Sequence, residues 1–255
     1  MSAPTVRPAP PYGNTDGAWP SPRAAYRPRA WHALVAAVIL VLVLLDVRFD
    51  GLLRQFDATS SDWLLSWGMQ DHGFLNAFGW VLSQTGGRGP NLVLILVMCG
   101  VIFAQRRTYA PFVQVLSASA LMYLTVYPIK AWLDRSFPTD PSGDYLHAAP
   151  APGGAFPSGH QVNATVLVGV GAWIAMEYIA NDTVRRVIAI YAIVAPIVCA
   201  IAVLIMGYHW ISDVIGGTCA GIILLWFVRW FWASPLGERA TAAMSVPRRR
   251  ARAER

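Results

Sequence analysis

Three short segments of this 255-residue chain carry side chains whose types and spacing could do chemistry on an anion. The first, Lys130-Ala-Trp-Leu-Asp-Arg135-Ser-Phe-Pro138, supplies two cations at the end of an apolar run. An unpaired charge at such a boundary must face a cavity or an anion; the plain alternative is snorkelling toward lipid phosphates. Lys130 is the single lysine against 19 arginines, so arginine fills the ordinary basic positions and this lysine needs its own explanation. The second segment, Pro157-Ser-Gly-His160, opens an apolar run. Free N–H groups at a helix start bind anions, and Gly159 permits close approach; an ordinary N-cap at Ser158 is the alternative. His160, just inside that turn, could give a proton to a leaving oxygen. In the third segment, His209 and Asp213 are four residues apart and share a helix face. A carboxylate on one ring nitrogen fixes the tautomer and leaves the other nitrogen to attack or to take a proton; a structural hydrogen bond is the alternative.

Two cations, a helix start, an acid and an oriented imidazole together describe a phosphate site. His160, His209 and Asp213 could instead hold a metal ion, but the adjacent Lys130 and Arg135 would oppose it, so no metal and no cofactor are expected. Cys99, Cys199 and Cys219 lie inside apolar runs without metal spacing and read as small core residues.

The elements that must position these residues are membrane spans. Apolar residues make up 55% of the chain and charged residues 13%, against about 25% charged in soluble domains. The sequence predicts an all-α integral membrane protein of six transmembrane helices: Trp31 to Val47, 90–104, 111–129, 161–180, 187–206 and 211–232. Residues 48–74, where Leu52, Phe56, Trp63 and Trp67 interleave with Arg54, Asp57 and Asp62, suit a helix lying in the interface between the first and second spans. Residues 1–30, with seven prolines, read as a disordered tail, residues 31–232 as one membrane domain, and 233–255 as a basic tail. Gly217-x-x-x-Gly221 reads as a helix-packing motif.

With the N-terminus inside, the inner segments hold 15 basic residues and the outer segments five: Arg48, Arg54, Arg88, Lys130 and Arg135. The positive-inside rule then puts both termini in the cytoplasm. Leaving Lys130 and Arg135 out of the count only sharpens the same bias, and the three reactive segments all fall on the outer face. The net charge of +6 collects at chain ends and short loops, which fits anionic lipid head groups and not nucleic acid.

In order and residue type the three segments resemble the motifs of the type-2 phosphatidic acid phosphatase family, the haloperoxidase-like lipid phosphatases, over about residues 48–232. Pro157-Ser-Gly-His160 matches the second motif in full, His209-x-x-x-Asp213 the core of the third, and Lys130, Arg135 and Pro138 the first in part. The resemblance implies metal-free, two-step hydrolysis of a phosphomonoester or pyrophosphate of a membrane lipid. His209 would attack phosphorus and form a phosphohistidine, Asp213 would orient it, and His160 would protonate the leaving alcohol and later activate water. Lys130, Arg135, Ser158 and the Gly159 amide would hold the phosphoryl oxygens.

The chain departs from the family pattern twice. Phe137 stands where the first motif has an arginine before its proline, and Val203 where the third has one six residues before its histidine. Each lost transition-state donor costs about 2.7–4 kcal/mol in other enzymes. Arg88, in Gly86-Gly-Arg-Gly-Pro90, is the candidate substitute cation, there read as part of a flexible turn that folds over the site. The alternatives are a lipid phosphotransferase that exchanges head groups on a less charged phosphodiester, and a non-catalytic binder of lipid phosphates. The expected setting is a bacterial plasma membrane.

Overall fold

The computed structural model describes residues 29–139 and 154–246. Most of the proline-rich tail, the greater part of the 136–157 loop and the last arginines of the basic tail lie outside the described residues. The rest is helical: α1 (Ala30–Arg48), α2 (Leu52–Leu65), α3 (Gly73–Ser83), a 3₁₀ turn (Gln84–Gly86), α4 (Arg88–Arg106), α5 (Ala110–Leu133), α6 (Gly159–Tyr178), α7 (Asp182–Ile205), α8 (Ile211–Trp232) and α9 (Pro235–Ala243).

Five of these helices, α1, α4, α5, α7 and α8, are long and apolar enough to cross a membrane. They coincide within a few residues with five of the expected spans. The remaining expected span is α6, whose 20 residues reach about 30 Å but include His160, Gln161, Asn163 and Glu177. Its lower apolarity has a structural cause: α6 runs through the middle of the bundle, packed against α4, α5, α7 and α8, so most of its surface meets protein and not lipid. Val162, Val166, Leu167, Val170 and Ile174 of α6 anchor the largest core cluster, with Ile95, Met122 and Leu224 from three neighbours. The outer helices show the complementary pattern. Leu34, Val38 and Leu42 of α1, and Val187, Ile190 and Ile193 of α7, stay exposed on the faces turned away from the core.

Lipid supplies no hydrophobic drive between helices, so close packing relies on small residues. A side chain at Gly221 would collide with Thr165, and one at Gly169 with Leu225. At Gly217 a methyl carbon would lie 2.7 Å from the Ser158 carbonyl oxygen and 2.9 Å from Gln161 Cβ. The Gly217–Gly221 pair is thus what lets α8 reach the start of α6. Gly216 makes the matching allowance for the Phe156 ring.

Residues 48–74 hold one complete helix, α2, and α3 begins only at Gly73. α2 exposes Leu52, Phe56 and Trp63 together with Arg54 and Asp62, and buries Asp57 and Ser61. α3 packs on α7, with Gly79 against Met206. At the opposite end of the bundle, α9 follows α8, and the chain beyond it pairs with the α4–α5 connection through Val246 N–H to Arg107 O at 2.8 Å and Tyr109 N–H to Met244 O at 3.1 Å. The beginning of the basic tail is therefore ordered structure docked on the bundle.

Candidate active site

α5 delivers the first segment. Its last helical turn carries Lys130, and Asp134 ends the helix in the left-handed conformation, φ 41°. The chain arriving at α6 lies directly on this helix end: Ala155 N–H donates to Arg135 O at 2.6 Å, and a side chain at Gly154 would strike the Arg135 backbone. Lys130 Nζ donates to the carbonyl oxygens of Gly154 at 2.9 Å and Ala155 at 3.4 Å. An ammonium has three donors, which leaves one for an anion. Its Cε lies 3.7 Å from the position a β-carbon would take on Gly159.

Ser158 caps α6, accepting from Gln161 N–H at 3.3 Å, and its own N–H donates to Asp213 O at 3.0 Å. The start of α6 and the start of α8 are thereby tied together, and His160 is carried to the same place.

His209 owes its position to how α7 ends. Gly207 adopts φ 67°; its N–H donates to Leu204 O, and Tyr208 N–H to Val203 O at 2.9 Å. This is a Schellman ending, which only a residue tolerant of the left-handed region makes without strain. His209 N–H also donates to Val203 O, at 3.2 Å. The imidazole is buried, with its ring centroid 6.2 Å from that of His160. Nδ1 faces Asp213 Oδ2 at 3.5 Å, close enough for an electrostatic hold but long for a hydrogen bond. Burial lowers the His209 pKa and Lys130 adds to the lowering, while Asp213 and a contact with Ala155 oppose it; the net direction is down, toward a neutral ring.

Asp213 is fully buried. Its Oδ2 accepts the Trp210 N–H at 3.0 Å, and its Oδ1 accepts Arg135 at 2.6 Å. Arg135 is held by three protein acceptors: Nη1 reaches Asp213 and Ser212 Oγ, both at 2.6 Å, and Nη2 reaches Asp57 at 2.7 Å. The Trp210 ring covers the guanidinium at 5.2 Å.

Asp57 went unrecognised as a site residue in the sequence. The only local signal is that Leu53, Asp57 and Ser61 recur every four residues along the inward side of α2. Ser212 lies between His209 and Asp213 in the third segment, where the sequence marks no role for it. Phe137 and Val203, at the two departures from the family pattern, occupy different surroundings. The Phe137 ring lies 5.6 Å from His209, on the wall of the site. Val203 is fully buried in a small cluster with Ala164, Cys199 and Val214.

Of the other cations expected on the outer face, Arg54 pairs with Asp50 one turn back in α2's approach, and Arg48 stands over Phe49 and Trp132. Arg88 is exposed, and it is the first residue of α4 and not part of a loose turn. It follows Gly86, which abuts the His160 carbonyl so closely that a side chain there would collide with it.

The arrangement is a buried imidazole held by a carboxylate, facing a second imidazole at a helix N-terminus, with an ammonium alongside. The PAP2 superfamily model matches residues 111–235, which span all three segments. The match covers just under half of the chain, and together with the similarities below it supports a membrane lipid phosphatase of the PAP2 type. Among its relatives, phosphatidylglycerophosphatase B of Bacillus subtilis (strain 168) is 24% identical over 151 residues, covering 59% of this chain and 71% of that protein. The crystal structure of a transmembrane PAP2 type phosphatidylglycerolphosphate phosphatase from Bacillus subtilis has the same fold. Its TM-score is 0.67 at 20% identity, over 79% of this chain and 96% of that one.

Proposed function

We propose that this protein hydrolyses the terminal phosphomonoester of a membrane lipid, phosphatidylglycerophosphate being the first candidate, through a phosphohistidine on His209 and without a metal ion. The observation that carries the reading is the 6.2 Å approach of the His160 and His209 rings, with Asp213 behind one and the α6 N-terminus and Lys130 beside the other. The Bacillus relatives, by name, act on that phospholipid.

In the first step His209 Nε2 attacks phosphorus. The P–N bond forms as the bond to the glycerol oxygen breaks, and His160 gives that oxygen its proton. In the second step His160 takes a proton from water, the water oxygen attacks phosphorus, and the P–N bond breaks to release inorganic phosphate. Asp213 stabilises the charge that develops on the His209 ring. Lys130, the Gly159 N–H and Ser158 at the α6 start meet the charge on the phosphoryl oxygens. Arg135 acts behind Asp213.

Arg88 is the substitute for the arginines replaced by Phe137 and Val203, since it is exposed two residues beyond Gly86, which abuts the His160 carbonyl, while Arg48 and Arg54 are engaged elsewhere. Arg88→Ala should therefore slow phosphomonoester turnover by about 10², whereas Arg54→Ala should leave it near wild type; steady-state phosphate release from lipid in detergent micelles checks both.

Both termini lie in the cytoplasm and the site opens at the outer membrane face, on the strength of the 15-to-five distribution of basic residues. The experiment that tests the activity is release of free phosphate by the purified protein, with a chelator present, against phosphatidate, phosphatidylglycerophosphate, a prenyl pyrophosphate and a lipid phosphodiester. Free phosphate from a monoester or the pyrophosphate supports the proposal. Head-group transfer between lipids without free phosphate contradicts it in favour of a transferase, and binding without turnover contradicts it in favour of a lipid-phosphate binder.

A further inference from the structure

We infer that Asp57 of α2 is a positioning residue for the reaction, acting through Arg135 and Ser212 on the Asp213–His209 pair. The inference rests on the proposed role of His209. Asp57 lies outside residues 111–235 and comes from a helix whose other visible business is with the membrane surface, yet its side chain is as inaccessible as that of Asp213.

Every polar contact of this carboxylate leads toward Asp213. Oδ2 accepts from Arg135 Nη2 at 2.7 Å and from Ser212 Oγ at 2.5 Å; Oδ1 accepts the backbone N–H of Ser212 at 3.0 Å. That N–H belongs to the first turn of α8, one of the donors a helix start leaves without an intrahelical partner. The N-cap residue is Trp210, whose indole has no acceptor. Asp57 therefore supplies from another helix the acceptor that a serine or aspartate at the N-cap would supply, and it fixes the turn on which Asp213 sits. The guanidinium bridges the two carboxylates, Nη2 to Asp57 and Nη1 to Asp213, and its planar fork leaves little freedom for either. Ser212 Oγ closes the ring, accepting from Arg135 and donating to Asp57.

The charges give Asp57 a second effect. Facing His209 are Asp213 from the first turn of α8, Lys130 from α5 and His160 from α6, with Arg135 and Asp57 behind Asp213. The buried group of Asp57, Asp213 and Arg135 carries one net negative charge. A positive imidazole, or one gaining positive character as its Nε2 bonds phosphorus, is favoured by that charge. Replacing Asp57 by the isosteric amide leaves the remaining pair neutral, and this favours the neutral ring of His209. The acid-side limb of the pH–rate profile, which reports deprotonation of His209, must then move to lower pH.

The experiment is Asp57→Asn in the full-length protein, assayed for phosphate release across pH and substrate concentration, with His209→Ala as control and thermal unfolding in detergent as the check on folding. The expected result is kcat lower by about ten- to a hundredfold, KM within about twofold, and the acid limb displaced to lower pH. A folded variant with wild-type kcat overturns the inference, as does one in which KM rises at unchanged kcat, which would make Asp57 a support of substrate binding. Should Asp57→Asn fail to fold, Ser212→Ala removes the middle link alone. A fall in kcat at constant KM in that variant supports the inference, and unchanged kcat overturns it. Retention of activity in His209→Ala would overturn the proposed mechanism itself, whereas a dead control with an undiminished Asp57→Asn overturns this inference alone.

Discussion

His209→Ala should remove lipid-phosphate turnover, lowering kcat by about 10⁴ or more, while the protein remains folded. The imidazole is buried, and its polar contacts are the 3.5 Å approach to Asp213 and one with the Ala155 backbone; Asp213 keeps its bonds to Arg135 and Trp210 when the ring is removed. The loss should be nearly complete for two reasons. The Schellman ending at Gly207 presents a single imidazole at this point, and burial with Lys130 nearby keeps that imidazole toward its neutral, nucleophilic form against the pull of Asp213. In the proposed mechanism His160, fixed to the α6 start, serves the leaving-group oxygen and does not replace His209 as nucleophile. Phosphate release by the purified variant, beside its thermal unfolding curve, checks the expectation; more than about a tenth of wild-type activity in the folded variant would remove His209 from the chemistry.

The largest effect on stability should come from Arg135→Met. The methionine roughly conserves the apolar stem and removes the cation that three short hydrogen bonds hold between Asp57, Asp213 and Ser212. Two buried carboxylates then share the start of α8 with no counter-charge. Breaking a buried ion pair from one side costs about 3–5 kcal/mol, enough to lower the unfolding midpoint in detergent markedly and to disorder the turn that carries Asp213. Arg135→Lys should recover little, because a single ammonium cannot reproduce the two-sided fork. Were Arg135→Met to unfold like the wild type and merely raise KM, Arg135 would be a ligand of the substrate phosphate, as the family pattern taken alone suggests.

The contrast between Lys130 and Arg135 shows how far the sequence reaches. All three reactive segments were legible because each is local: a lysine near a helix end, a serine–glycine–histidine at a helix start, a histidine and aspartate one turn apart. Their meeting on one face followed from charge distribution along the spans. What Arg135 does was not legible, because its partners lie 77 and 78 residues away, and Asp57 is one of several charges in a segment whose composition points to the membrane surface. α6 illustrates a different limit. Its polar residues lower its apparent hydrophobicity because neighbouring helices and the site, and not lipid, surround it. The two sites of missing arginines also separate only in three dimensions. Phe137 lines the site beside His209, whereas Val203 is packed with Ala164, Cys199 and Val214, so a charge there would have to leave a well-filled core to reach the phosphate.

The central claim is that a lipid phosphate passes through a covalent bond to His209. The direct measurement is rapid acid-free quenching of purified protein mixed with lipid labelled in its terminal phosphate, followed by protein digestion and mapping of the labelled peptide. The account predicts transient label that is stable to alkali, labile to acid, formed in the presence of a chelator, located on His209 and absent from His209→Ala. Label on another residue, or full-rate hydrolysis by the wild-type protein with no labelled protein at any time, would contradict it.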